Sequence, residues 1–232
     1  MEFLNKFFDN VFQPPAEPKT GRDLSKHLEQ RFYGDFELTD AVRPGLSLLI
    51  KPTQGYRHDV YIDEETQKRV PVIMASASKE ILFSVFMQLI YRLGPTVDVV
   101  LETSHNHDKS GHMDLYREQM DMPVLTSTLW EFEDVLLNDG CTGIAVLNPN
   151  TPQEVQFDEH KLLIMYGSPL EGFEHVLEKN GIFCDENMRF ITESEHVHSS
   201  SDAMYRQFQI LQTELGLDRP QESHQSDDGD LV

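Results

Sequence analysis

The sequence predicts an α+β fold made by tandem duplication of one α-β-β-β-α-β-α unit, with mainly antiparallel or mixed sheets and pseudo-two-fold symmetry. Three observations support this prediction. Short apolar runs of strand length alternate with stretches of helical periodicity. The content of 39% hydrophobic and 25% charged residues is that of a globular protein. The second half of the chain also repeats the order of elements in the first half.

Residues 1–22 are predicted to form an N-terminal amphipathic helix followed by a proline-containing linker. The helix carries one apolar stripe and ends before Pro14 and Pro15; the stripe consists of Phe3, Leu4, Phe7, Phe8, Val11 and Phe12. Such a stripe favours docking on the chain's own domain or on a second copy, which would make a homo-oligomer. Attachment to a membrane surface is the alternative, and the presence of Lys6 as the one basic residue of this helix disfavours it.

Two repeat units and a tail account for the rest of the chain. The first unit, 23–125, has a predicted helix at 24–32, strands at 46–50, 60–62 and 70–74, a helix at 79–93, a strand at 97–101 and helical character from Met113. The second unit, 126–216, has a helix at 127–138, strands at 144–147, 155–157 and 162–165, a helix at 169–180 that follows a Ser168 cap, a strand at 188–192 and a helix at 202–215. Residues 217–232 are acidic and almost free of apolar side chains, which predicts a disordered tail.

The two units align without a gap over their central part. Val72 meets Leu163 at a strand, and Glu80 meets Glu171 at a helix start. The segment that follows the next strand has the pattern Glu-x-x-His-x-His in both copies. Because the same polar types recur at the same place relative to a strand, this agreement supports the duplication.

The repeated segments supply the candidate metal ligands. Residues two apart on a strand point to the same face, so each histidine pair is a two-point ligand. Two pairs that meet across a pseudo-dyad would bind Zn or another transition metal, with the glutamates as further ligands or as partners of the histidines. These residues are His105, His107, His196, His198, Glu102 and Glu193. The sequence favours a simpler alternative, in which the histidines are structural or face a partner and no cofactor is bound.

Charge and cysteine content limit the function and the location. The formal net charge of -21 opposes binding to nucleic acid and favours basic protein partners. No apolar run is long enough for a membrane span, and polar residues interrupt the apolar N-terminus, unlike in a signal peptide. With two cysteines, these features predict a cytoplasmic protein.

No catalytic motif identifies a reaction. The sequence therefore predicts an acidic binding or regulatory protein that acts through protein-protein contacts and is not an enzyme. The alternative is a metal-binding protein or metal-dependent hydrolase that uses the two Glu-x-x-His-x-His segments.

Overall fold

The computed structural model describes residues 27–62, 67–105 and 112–217. The predicted N-terminal helix, its proposed oligomer contact and nearly all of the tail lie outside these residues. The described strands are β1 Phe32–Tyr33, β2 Phe36–Glu37, β3 Val42–Pro44, β4 Gly55–Ile62, β5 Arg69–Ser76, β6 Thr96–Thr103, β7 Met113–Asp121, β8 Thr142–Leu147, β9 Glu154–Phe157, β10 Leu163–Tyr166 and β11 His196–His198. The described helices are α1 Lys79–Ile90, α2 Met122–Glu131, α3 Glu133–Asn138, α4 Glu171–Lys179 and α5 Asp202–Glu214, and 3-10 turns lie at Tyr91–Leu93 and Ile191–Glu193.

One seven-stranded sheet organises the described part of the chain. Its strand order is β4-β5-β10-β9-β8-β6-β7, and each neighbouring pair is antiparallel. Two small sheets, β1-β2 and β11-β3, complete the strand content. The α+β class with antiparallel sheets is therefore confirmed.

The helices cover one face of the large sheet. Because side chains alternate along a strand, Leu163 and Met165 of β10 point into the helical layer, whereas Ile164 belongs to a smaller cluster on the opposite face. Phe86 of α1 meets Phe157 of β9 with ring centroids 5.2 Å apart in the main core. The opposite face is only partly filled, which leaves room for a cavity described below.

The tandem duplication is not confirmed. The hairpins β4-β5 and β9-β10 do lie side by side, joined by antiparallel pairing of β5 with β10, and each is followed by a helix. The outer strands show no such correspondence, since β6 pairs with β8 in the large sheet while the segment predicted to match it, 188–192, forms no strand. The three strands of the second predicted unit thus lie between two pairs of strands from the first unit in a single sheet.

Several predicted elements are wrong. Residues 46–50 form turns and not a strand, and 188–192 end in the 3-10 turn Ile191–Glu193. Of the helix predicted at 24–32, residues 27–28 are helical, but the helix does not continue to 32, where β1 begins; residues 24–26 lie outside the described part of the chain. The segment from Met113 is strand β7, although it contains good helix formers, because pairing with β6 along its length outweighs local propensity. None of the described helices is both long and apolar enough to cross a membrane.

Candidate metal centre

Three histidines from two distant parts of the chain converge at one end of the large sheet. His196 and His198 lie on β11, and His160 lies in the turn between β9 and β10. Their ring centroids are 4.7–5.1 Å apart. Each residue offers one ring nitrogen within 4.8 Å of the other two. We call these three residues the histidine cluster.

Strand β11 is held in place by close backbone contacts. It pairs antiparallel with β3, and its ends are fixed where Gly45 N donates to Glu195 O and Gly140 N donates to Ser199 O. A Cβ atom at Gly140 would lie 2.3 Å from the Ala41 carbonyl oxygen, so only glycine allows this approach. Because β11 is extended, His196 and His198 project to the same side, as the sequence predicted for this pair.

A tight turn positions His160. The Asp158 carboxylate accepts a hydrogen bond from the Leu162 amide at 2.7 Å, and Lys161 has a φ of 65°. The Lys161 ammonium donates to the Thr142 carbonyl at 2.7 Å and anchors the turn to β8. Burial lowers the pKa of Lys161 to about 8, against the opposing effect of Asp158. The turn therefore presents the His160 ring toward β11.

Hydrogen bonds determine which nitrogen each ring can offer to a metal. The Nδ1 atom of His160 is 2.8 Å from Asp158 Oδ2, that of His196 is 2.8 Å from the Ser194 carbonyl, and that of His198 is 2.5 Å from the Gly140 carbonyl. A carbonyl oxygen only accepts, so Nδ1 of His196 and of His198 carries the proton. The carboxylate has the same effect on His160. All three lone pairs are therefore on Nε2, and acceptors of this kind orient histidine ligands in metal sites.

Burial keeps the two strand histidines in the neutral form that binds metal. It lowers the pKa of His196 and of His198, and the nearby His160 ring lowers both further. For His160, burial lowers the pKa but the Asp158 carboxylate raises it by more, so the net pKa is above its ordinary value. The His160 side chain is only 9% exposed. The cluster thus combines two strand histidines kept neutral by burial with a third, His160, that has a carboxylate directly behind it.

His105 lies next to the cluster but is bonded differently. Its Nδ1 is 2.7 Å from Thr103 Oγ1, and its Nε2 is 2.9 Å from Asp139 Oδ2. Its ring packs against Tyr205 and Phe208 of α5. His105, Asp139 and Cys141 could also hold an ion by distance. However, both ring nitrogens of His105 already have partners, which indicates a structural role.

The two predicted glutamates lie away from the histidine cluster. Both oxygens of Glu102 accept from Gln156 Nε2 at 3.1 Å on the face of the sheet that lacks helices. Glu193 forms an ion pair with Arg57 at 2.6 Å. His107 lies outside the described residues, so its predicted role stays a prediction. The structure brings together His196 and His198 of the predicted set and adds His160, which the sequence reasoning missed.

A third group of potential ligands is exposed. His58 contacts Glu186 through Nδ1 at 2.6 Å and Glu174 through Nε2 at 2.7 Å, and Cys184 lies beside them. Burial and the Glu186 carboxylate raise the pKa of the Cys184 thiol to about 11, so the sulfur is protonated near neutral pH. Since both His58 nitrogens are engaged, this group is a weaker metal site than the histidine cluster.

Comparison with known proteins identifies no relative. No family model matches the chain, no curated protein matches it, and no solved structure matches its fold. Any functional assignment therefore depends on the geometry described above.

Proposed function

We propose that this chain is a metal-binding protein and that His160, His196 and His198 are its ligands through Nε2. The observation that carries the proposal is the convergence of three imidazoles whose Nδ1 atoms all have hydrogen-bond acceptors. Imidazole nitrogen suits zinc, copper, nickel and iron, and a three-nitrogen set of this kind fits tetrahedral zinc with one position left for water.

The number of protein ligands supports a second candidate function, a metal-dependent hydrolase. Structural zinc sites have four protein ligands, whereas catalytic sites have three and an open position. The described residues supply three, and His196 and His198 are partly exposed to solvent. A zinc ion at this position would lower the pKa of a bound water toward about 7 and supply a hydroxide nucleophile.

Glu159 is the proposed proton acceptor in such a reaction. Its side chain is 19% exposed, and its negative charge acts on both His160 and His198. One oxygen accepts from Ser104 Oγ at 2.7 Å, which fixes the carboxylate beside the cluster. The Glu159→Gln variant should keep its metal and lose hydrolysis of ester or phosphate substrates. Full metal occupancy without turnover of any such substrate would leave only the binding function.

The metal proposal is tested on the untagged full-length chain by equilibrium dialysis against zinc, followed by elemental analysis. The wild type should retain one equivalent of metal, and His160→Ala, His196→Ala and His198→Ala should each lose it. His175→Ala is the matched control, because His175 is exposed on α4 and belongs to none of the candidate groups. Equal metal content in all five proteins would reject the site.

His105 and His107 come from the sequence prediction and need separate variants. We expect His105→Ala to retain the metal, since the ring is bonded to Asp139 and Thr103. Loss of metal in His107→Ala would make His107 the fourth ligand and turn the centre into a closed, structural one. The role in binding a basic protein partner, predicted from the net charge, stays a separate prediction.

A further inference from the structure

A cavity of about 250 Å³ opens on the face of the large sheet that the helices do not cover. It lies over the central strands and is separate from the histidine cluster, none of whose residues lines it. Its walls are mainly aromatic and aliphatic, with one acidic residue. The lining includes Tyr61, Tyr116, Tyr166, Val100, Leu147 and Glu154.

Glu154 is an incompletely bonded acid in this lining. Its Oε1 atom is shielded from solvent and accepts no hydrogen bond from the described residues. No ion pair among those residues involves Glu154. Burial raises its pKa to about 7. Because an unpaired buried carboxylate is destabilising, its retention on an otherwise apolar wall suggests a role in binding.

Two further acidic residues lie close to the cavity. Glu102 lies on the same face, and burial raises its pKa to about 8. The Tyr116 hydroxyl donates to the Asp114 carboxylate at 3.2 Å and holds a third acid nearby. The aromatic rings of Tyr61 and Tyr166 meet edge to face with centroids 6.5 Å apart. The ring faces of tyrosines attract cations, and a carboxylate supplies the counter-charge.

We propose that this cavity binds a small organic cation, with its ammonium or guanidinium group at Glu154 and its apolar body against Tyr61, Tyr116 and Tyr166. The size is at the small end for ligand pockets, which commonly measure about 300–1,000 Å³, and excludes large ligands. An anionic ligand is disfavoured by the three acids on this face. The proposal does not depend on the metal centre.

The experiment titrates the full-length chain at pH 8 with hexylamine, butylguanidine and phenethylamine, followed by NMR shifts and calorimetry. Hexanol and hexanoate are the neutral and anionic controls. At least one cation should bind saturably with a Kd of about 1 mM or tighter, whereas hexanol and hexanoate should bind at least about tenfold more weakly. Equal binding of hexylamine and hexanol, or no saturation by any cation, would overturn the proposal.

Two variants locate the binding in the cavity. Glu154→Gln should weaken cation binding at least about tenfold, while the matched control Glu131→Gln, at an exposed position on α2, should not. Leu147→Trp fills the cavity from a half-buried position and keeps Glu154, so it should also abolish binding. Unchanged affinity in either cavity variant would place the ligand elsewhere. Repeating the titration with His160→Ala and a chelator should give the same affinity, which separates this site from the metal centre.

Discussion

His105 and the histidine cluster lie side by side at one end of the sheet, and they differ in what their ring nitrogens contact. His105 contacts Asp139, and His198 contacts the next residue, Gly140. In His105 both nitrogens have protein partners, Asp139 and Thr103, whereas each ring of the histidine cluster places its Nδ1 against an acceptor and the three rings converge on one another. Hydrogen-bond partners, and not the presence of histidine, therefore distinguish a structural imidazole from a candidate ligand.

Asp139 and Glu154 are buried acids that differ in the same way, in whether their oxygens have hydrogen-bond partners. Burial raises the pKa of Asp139, but hydrogen bonds from His105, Ser200 and Thr142 lower it by more, so the net pKa is below its ordinary value. Glu154 has no such bonds, and burial alone raises its pKa to about 7. A filled set of partners indicates a structural role, and an unfilled one indicates a position that a ligand could complete.

The largest effect is expected from removing one cluster ligand. His196→Ala should weaken zinc affinity at least about 100-fold, because two imidazoles cannot replace three and the orienting partners act on each ring separately. Competition with a chelator of known affinity measures the change. His105→Ala should stay within about threefold of the wild type. If the two variants lose affinity equally, the distinction between the two groups is wrong.

The next largest loss of zinc affinity is expected from changing Asp158, whose carboxylate accepts from Nδ1 of His160. Asp158→Asn should weaken zinc affinity by about 10- to 100-fold, because the carboxylate orients the ring and raises the basicity of Nε2. The same competition assay measures it. Asp185→Asn is the control, since Asp185 also accepts a turn amide but is exposed and remote from the cluster. An unchanged zinc affinity in Asp158→Asn would show that this carboxylate does not orient His160 for metal binding.

His105→Ala should instead reduce stability. It leaves Asp139, which is fully buried, without its contact to His105 Nε2 and removes the ring from Tyr205 and Phe208. Breaking a buried pair of this kind costs about 3 kcal/mol, equivalent to a Tm lower by about 6–12 °C in a chain of this size. Calorimetry of the metal-free protein measures it. A Tm within a degree of the wild type would show that the pair is not structural.

An effect of similar size and opposite sign, a gain in stability, is expected from neutralising Glu154. A carboxyl whose folded pKa is raised favours folding when protonated, so its contribution is complete below about pH 4.5 and is lost as pH rises through about 7. The shift from 4.5 to about 7 corresponds to about 3 kcal/mol, so at pH 8 Glu154→Gln should raise the free energy of unfolding by about 3 kcal/mol and Tm by about 6–12 °C. At pH 4 the two proteins should melt together. A lower Tm in the variant at pH 8 would mean that the carboxylate has a stabilising partner.

The sequence predicted local features of the fold better than long-range ones. The α+β class follows from apolar alternation and turn residues, and so do the strands predicted at 60–62, 70–74, 155–157 and 162–165, which fall within β4, β5, β9 and β10 or within one residue of them. The strand predicted at 188–192 did not form, although Met188 and Phe190 are buried, because this segment packs its side chains against the open face of the sheet without pairing its backbone as a strand. Apolar periodicity indicates which side chains are buried. It does not indicate which strand a segment of backbone can pair with.

Only part of the candidate site could be predicted, because local patterns do not show which distant segments meet in the fold. Alternation placed His196 and His198 on one side of a strand. His160 is brought to them by tertiary contacts, namely the turn at Asp158 and the pairing of β11 with β3, which no local pattern encodes. The available signal was the succession Asp158-Glu159-His160 in a loop between two strands, since an acid two residues before a histidine can hold its Nδ1 atom.

X-ray absorption at the zinc edge, measured on the untagged chain after loading with zinc, tests the metal centre most directly. Three nitrogen neighbours with imidazole scattering at about 2.0–2.1 Å and one oxygen neighbour are expected. The same spectrum should be obtained from His105→Ala. A shell that contains sulfur, a shell of oxygen alone, or failure to bind zinc would contradict coordination by His160, His196 and His198.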